Sequence, residues 1–276
     1  MAYENPYDQQ APLKAKFECL LFDVDDTLYP LSSGLSKQCT KNIEEYMIQT
    51  LGIEESKVSE VNRVLYKNYG TSMAGLKAIG YDFDNDDYHS YVHWRLPYDN
   101  LKPDPVLRHL LLSLPIRKVI FSNADEVHVG KVLCKLGLED CFDGIVNFES
   151  LNPTNKTNDF DAEILGAADD FSALPKTPIV CKPFPGAFEQ AFKIANINPE
   201  KTLFFDDSIR NIETGKSVGL HTVLVGTSHR TNSSDYALES IHNIREALPE
   251  LWEANNKSKS IKYSGGKVAI ETTVTA

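Results

Sequence analysis

The stretch Phe17-Glu18-Cys19-Leu20-Leu21-Phe22-Asp23-Val24-Asp25-Asp26-Thr27 governs how the rest of the chain is read. Its first half is a short, nearly unbroken apolar run, the pattern of a strand buried on both faces. Its second half is acidic. Asp23 and Asp25 stand two residues apart, and on an extended chain that spacing projects both carboxylates to one side. At about 4 Å and an effective dielectric near 20, such a pair costs on the order of 4 kcal/mol. A cation or a shared proton relieves that cost, so the pair points to a metal site or to an acid–base division of labour. Taken alone, Asp25 or Asp26 fits equally well as the cap of a turn or helix.

Outward from this stretch the chain divides by pattern. Residues 1–16 are rich in Pro, Gln and Tyr and read as a flexible arm. From Leu35 to about Leu101 the apolar residues recur at helical spacing, as in Val58, Val61, Leu65 and Tyr69, and no strand is evident. Pro103 and Pro105 mark a boundary, after which strands and helices alternate. Strands are expected at Arg117–Phe121, within Phe142–Phe148, at Thr202–Phe205 and at Thr222–Val225, with helices through Val132–Leu136, from Pro185 to about Asn196, and through Ile212 and Val218. Such alternation implies a parallel sheet covered by helices on both faces. The expected fold is therefore α/β, a Rossmann-like doubly wound parallel sheet with a helical domain inserted after the first strand. The core would comprise 17–34 and 101–250 and the helical insert 35–100. The polar stretch 152–178 reads as a surface insertion, and the polar tail 251–276 is expected to be disordered.

Composition narrows the function. The 276 residues carry a formal net charge of −11, a poor balance for binding DNA or RNA, which requires basic surface. The five cysteines are odd in number and form no C-x-x-C pair, which suits buried, reduced thiols. No apolar run reaches the roughly 18 residues of a membrane span, and no signal peptide is visible. A cytoplasmic protein without nucleic-acid or membrane partners is the expectation.

In open α/β sheets ligands sit at the carboxyl ends of the strands. Ser122-Asn123 follows the second strand and offers a hydroxyl and an amide to anion oxygens. Lys182 precedes a helix. Asp206-Asp207-Ser208 follows another strand, with Asn211 four residues beyond Asp207. Singly these are ordinary turn, cap and surface residues; their joint occurrence at successive strand ends is not ordinary. The set Asp23-Val24-Asp25-Asp26-Thr27, Ser122-Asn123, Lys182 and Asp206-Asp207-Ser208-x-x-Asn211 resembles the motifs of the haloacid-dehalogenase-like phosphatases. Tyr69-Gly70-Thr71-Ser72-Met73-Ala74-Gly75-Leu76, Lys102-Pro103-Asp104 and Phe205–Gly215 resemble the pyrimidine 5′-nucleotidase branch.

The resemblance implies roles. Asp23 is the nucleophile that forms an aspartyl-phosphate, and Asp25 is the general acid and base. Thr27 braces the loop, Ser122 binds a phosphoryl oxygen, Asn123 supports it, and Lys182 offsets charge. Mg²⁺ is held by Asp23, the Asp25 backbone carbonyl and Asp207, with Asp206 and Asn211 behind them; which of Asp206 and Asp207 touches the ion stays open. The helical block resembles a cap that closes over the substrate. Within it Tyr88, Tyr91 and Trp94 either stack on a flat base or fill the block's own core, and the small residues from Gly70 to Gly75 would let a ligand approach the backbone.

Rival readings fare worse. Asp82–Asp86 imitates a calcium loop but has Asp87 where Gly and His93 where Glu are required. Gly215-Lys216-Ser217 imitates a P-loop ending, with Arg210 in place of the first glycine. A non-catalytic protein on this fold would not need every motif position filled, a protein phosphatase would need an open cleft, and a dehalogenase would need neither Asp25 nor a metal. The expectation is a Mg²⁺-dependent phosphomonoesterase, monomeric or homodimeric. Its substrate would be a small phosphate ester, a pyrimidine nucleoside 5′-monophosphate or, failing that, another metabolite such as a sugar phosphate.

Overall fold

The computed structural model describes residues 16–153 and 174–252. The expected arm up to residue 15, most of the stretch 152–178 and the tail from 253 lie outside the described residues.

Strand β1 (Cys19–Phe22) lies inside a six-stranded sheet with β2 (Arg117–Phe121), β3 (Gly144–Val146), β4 (Thr202–Asp206), β5 (His221–Val225) and β6 (Tyr236–Leu238). The order is β3-β2-β1-β4-β5-β6, and every pair is parallel. This is the doubly wound arrangement expected, and the strand order reverses direction between β1 and β4, which is where such sheets bind ligands. The apolar run of β1 works on both faces. Leu20 and Phe22 join Ile120, Leu203 and Phe205 on one side, where Phe22 stacks on Phe205 with centroids 4.6 Å apart. Cys19 and Leu21 join Val119, Phe121 and Phe204 on the other.

Helices α5 (Pro105–Ser113) and α6 (Glu126–Leu136) cover the first face with the short α10 (Ile244–Ala247). The short α7 (Phe148–Leu151) with α8 (Pro185–Ile194) and α9 (Ile209–Ser217) cover the second. The boundary prolines have a local cause: Pro105 opens α5, and Asp104 caps it by accepting from Leu107 N at 2.9 Å. The edge strand β6 was not expected, because three residues carry too little alternation to read.

Between β1 and α5 stand α1 (Leu35–Gln49), α2 (Glu55–Tyr69), α3 (Ser72–Ala78) and α4 (Asn85–His93). They gather their own apolar cluster around Tyr46, Met47, Leu65, Met73 and Tyr88. The aromatic residues mostly serve packing. Tyr88 meets Tyr46 edge-on at 5.0 Å, Tyr91 is covered by Arg95, and Trp94 is exposed under Lys131. The small residues also serve the protein. A Cβ on Gly75 would lie 2.6 Å from Leu65 Cβ, and one on Gly70 would collide with the Lys182 carbonyl oxygen. Among the described residues no helix is long and apolar enough to cross a membrane.

Candidate active site

The register of β1 against β4 pairs Phe22 with Phe205, and Asp23 N donates to the Phe205 carbonyl at 2.9 Å. Asp23 and Asp206 therefore stand side by side where the two strands end. Between them lies Lys182, only 1% exposed, whose Nζ donates to Asp23 Oδ1, Asp206 Oδ2 and the Phe121 carbonyl, each at 2.8 Å. All three ammonium donors are used. Asn123 holds the lysine's backbone from both sides: its Nδ2 donates to Lys182 O at 3.0 Å, and its Oδ1 accepts from Lys182 N at 2.8 Å. Thr27 Oγ1 donates to Asp23 Oδ2 at 3.1 Å. Ser122 is buried and accepts from Ala124 N at 3.0 Å, which leaves its hydroxyl proton for a ligand.

Past Asp23 the chain turns. Thr27 N and Leu28 N both donate to Val24 O, and Asp26 takes a left-handed conformation at φ 57, which Asp tolerates. The extended-chain expectation for Asp23 and Asp25 thus fails, since β1 ends at Phe22. The turn still brings both carboxylates to one cavity. Asp25 Oδ1 accepts two hydrogen bonds, from Tyr29 OH at 2.5 Å and from His128 Nε2 at 2.7 Å. Burial raises the Asp25 carboxyl, but the His128 charge and the bonds from His128 and Tyr29 outweigh it and hold the group below its usual range.

Asp23, Asp206 and Asp207 each offer an oxygen within 4.8 Å of the others. Asp206 is fully engaged. Its Oδ1 accepts from Ser208 N and Asn211 Nδ2, both at 2.9 Å, and its Oδ2 from Lys182 and, at 3.1 Å, Asn211. Asp207 is exposed to the cavity and has no hydrogen-bond partner among the described residues. Burial first, then the neighbouring carboxylates, raise both Asp23 and Asp207 despite Lys182. One ammonium group does not neutralise three carboxylates, and a hard all-oxygen set short of positive charge fits Mg²⁺. Asp23 and Asp207 would hold the ion by their side chains, and Asp206 would anchor the lysine. The Asp25 side chain is not in the converging set.

Histidine 128 was not anticipated. It occupies the first turn of α6, and helical side chains lean toward the N-terminus, which carries its ring back over the strand ends. Its Nδ1 pairs with Tyr98 OH at 2.8 Å, and its ring lies 4.6 Å from that of His93, which is itself paired with Asp125. The readable signal was a histidine six residues after Ser122, on the helix that leaves that strand end.

A cavity of about 590 Å³ lies above this floor. Asp23, Asp25, Ser122, Lys182 and Asp207 line it from the sheet, and Asn62, Ser72, Tyr88 and His89 from the helical block. A model of the haloacid dehalogenase-like hydrolase family matches residues 17–219. The chain belongs to this family. "Phosphate metabolism protein 8" of Saccharomyces cerevisiae is 26% identical over 229 residues, covering 80% of this chain. The chain spans 64% of that relative's length. Among solved structures, CbbY from Rhodobacter sphaeroides in complex with phosphate is similar at a TM-score of 0.53 and 18% identity, over 85% of this chain and 99% of that one. The HAD-hydrolase YfnB from Bacillus subtilis, bound to magnesium, gives 0.51 at 18% identity, over 83% and 97%. At these identities the likeness shows the fold.

Proposed function

We propose that this haloacid dehalogenase-like hydrolase is a Mg²⁺-dependent phosphomonoesterase that works through an aspartyl-phosphate on Asp23. The observation that carries the reading is Asp23 itself. It is a nearly buried carboxylate at a strand end, fixed by Lys182 and Thr27, at the floor of a cavity of small-molecule size. Bound Mg²⁺ would supply charge neutralisation at the phosphoryl oxygens. Asp23 attacks phosphorus, and the bond to the ester oxygen breaks with its electron pair on that oxygen. Asp25 delivers there a proton that it has first taken up, since its carboxyl is ionised at rest. Water then bonds to phosphorus, its proton goes to Asp25, and the Asp23 carboxylate is restored. Ser122 donates to a phosphoryl oxygen, and Lys182 offsets the charge gathered on Asp23. Positioning and electrostatics suffice for such a transfer.

The four helices between β1 and α5 act in this reading as a cap over the core segments 17–34 and 101–250. The cap contributes the groups that meet the leaving group. Ser72 Oγ donates to Asn62 Oδ1 at 2.5 Å, so the Asn62 amide protons are left for an acceptor such as a pyrimidine carbonyl. The substrate reading is a pyrimidine nucleoside 5′-monophosphate, with other small phosphate esters as the alternative. The five unpaired cysteines favour a reducing, cytoplasmic setting, and the reading includes a monomer or homodimer.

Specificity constants for UMP, CMP, AMP, GMP and a set of sugar phosphates, with and without Mg²⁺, test it. The reading expects the pyrimidine nucleotides to be hydrolysed faster than the purine ones. A clear preference for an ester without a base overturns the nucleotide assignment, and no hydrolysis of any ester overturns the phosphatase assignment.

A further inference from the structure

Beside Asp25 lies a polar cluster that the motifs do not account for. Tyr29 and His128 both bond the same oxygen, Oδ1, at 2.5 and 2.7 Å. Asp25 Oδ2 has no partner among the described residues, and the side chain borders the cavity. A carboxylate accepts only, so the proton in the His128 bond sits on Nε2, and Nδ1 makes the other ring bond, with Tyr98 OH at 2.8 Å. The His128 side chain is 3% exposed and is packed between the rings of His93 and Tyr98. Two donors converging on one oxygen, one of them on a ring locked at both nitrogens, fix the torsion of the carboxyl and decide which oxygen faces the substrate.

We infer that His128, seated by Tyr98, is a positioning residue that presents Asp25 Oδ2 to the ester oxygen of the substrate. The inference rests on the reading of Asp25 as general acid and base in the proposed phosphatase. Tyr29 shares the task from the turn itself, whereas His128 brings the helix α6 into it. Because His93 comes from α4 and Tyr98 from the segment that returns to α5, the seat of His128 is built where the helical block meets the core. Thr27 and Lys182 hold the nucleophile by a separate set of bonds, so loss of His128 leaves Asp23 in place.

That separation makes leaving-group chemistry the readout. A nitrophenyl leaving group departs with little help from an acid, and an alkyl alcohol does not. With full-length protein and Mg²⁺, kcat/KM is measured for p-nitrophenyl phosphate and for an alkyl phosphate on the wild type, Asp25→Asn, His128→Ala and His128→Gln. Since kcat/KM reports steps up to phosphoryl transfer, hydrolysis of the intermediate does not enter. The expected loss in His128→Ala is about 100-fold or more on the alkyl ester, the lower range of a general-acid contribution, and only a few-fold on the nitrophenyl ester. Asp25→Asn should show the same selectivity more steeply, and His128→Gln, which keeps a donor, should regain much of the alkyl-ester rate. Equal loss on both esters in His128→Ala, or no loss, overturns the positioning role, as does a folded His128→Gln no better than alanine. If His128→Ala does not fold, Tyr98→Phe removes only the hydroxyl that seats the ring, and the same criterion applies to it. A wild type inactive on both esters refutes the phosphatase reading instead, and an unselective Asp25→Asn refutes the acid role.

Discussion

Lys182 illustrates how much of this site is charge compensation. It is buried, its ammonium lies against two carboxylates and a carbonyl, and burial lowers its pKa less than Asp206 and Asp23 raise it. Replacing it by Met would leave Asp23 and Asp206 buried without their partner. Breaking a buried pair in this way costs about 3–5 kcal/mol, so Lys182→Met should lose most of its stability in a denaturant titration as well as its activity, and Mg²⁺ should restore part of the stability. A variant as stable as the wild type would contradict the network. His89 supplies a second prediction. It is buried against His93 and Phe148 with Nδ1 unpartnered, and burial first, then the His93 charge, lowers its pKa to about 4 from the ordinary 6.5. The unfolded chain takes up this proton and the folded one does not, so stability is retained above pH 6.5 and lost as the pH falls toward 4. His89→Gln should lose less stability than the wild type between pH 7 and pH 5, by a few kcal/mol at most; equal losses would contradict a neutral, buried His89.

At the scale of elements, the joint between the helical block and the core is the vulnerable place. Gly70 ends α2 at φ 81, and a Cβ there would meet the Lys182 carbonyl and lie 2.6 Å from Pro183 Cδ. Arg210 Nη1 fastens the same corner by donating to Tyr66 O and Lys67 O, both at 3.0 Å. Gly70→Ala should therefore displace the Lys182 loop and lower kcat by about tenfold or more, the scale at which small misplacements act, with a lowered Tm. Unchanged kinetics and Tm would show that the joint yields freely. The same joint shows what a sequence can reveal. The strands were legible because a strand buried on both faces must be apolar throughout, and its polar exit must then be chemistry or a turn. The glycines were legible as close approach, and the structure shows that approach made to protein backbone and to the Leu65 side chain, while Gly70 also lines the cavity. His128 and Tyr29 were not legible, because their roles depend on a helix leaning back and on a turn at Asp26 that no periodicity encodes.

Across the whole molecule, the pairing of β1 with β4 brings Asp23 and Asp206–Asp207 together from residues far apart in sequence. Asp23, Asp206 and Asp207 converge with one ammonium group among them, so on the proposed reading Mg²⁺ should raise Tm in a concentration-dependent way, and exhaustive chelation should remove activity until Mg²⁺ is returned. Turnover unaffected by chelation would contradict the cation site. The most direct test concerns Asp23. Protein mixed with a hydrolysable phosphate ester and Mg²⁺, quenched in acid during turnover and mapped by peptide mass spectrometry, should carry one phosphoryl group on Asp23, and Asp23→Asn should neither carry it nor release phosphate. A phosphoryl group trapped on another residue, or substantial turnover by Asp23→Asn, would contradict the account.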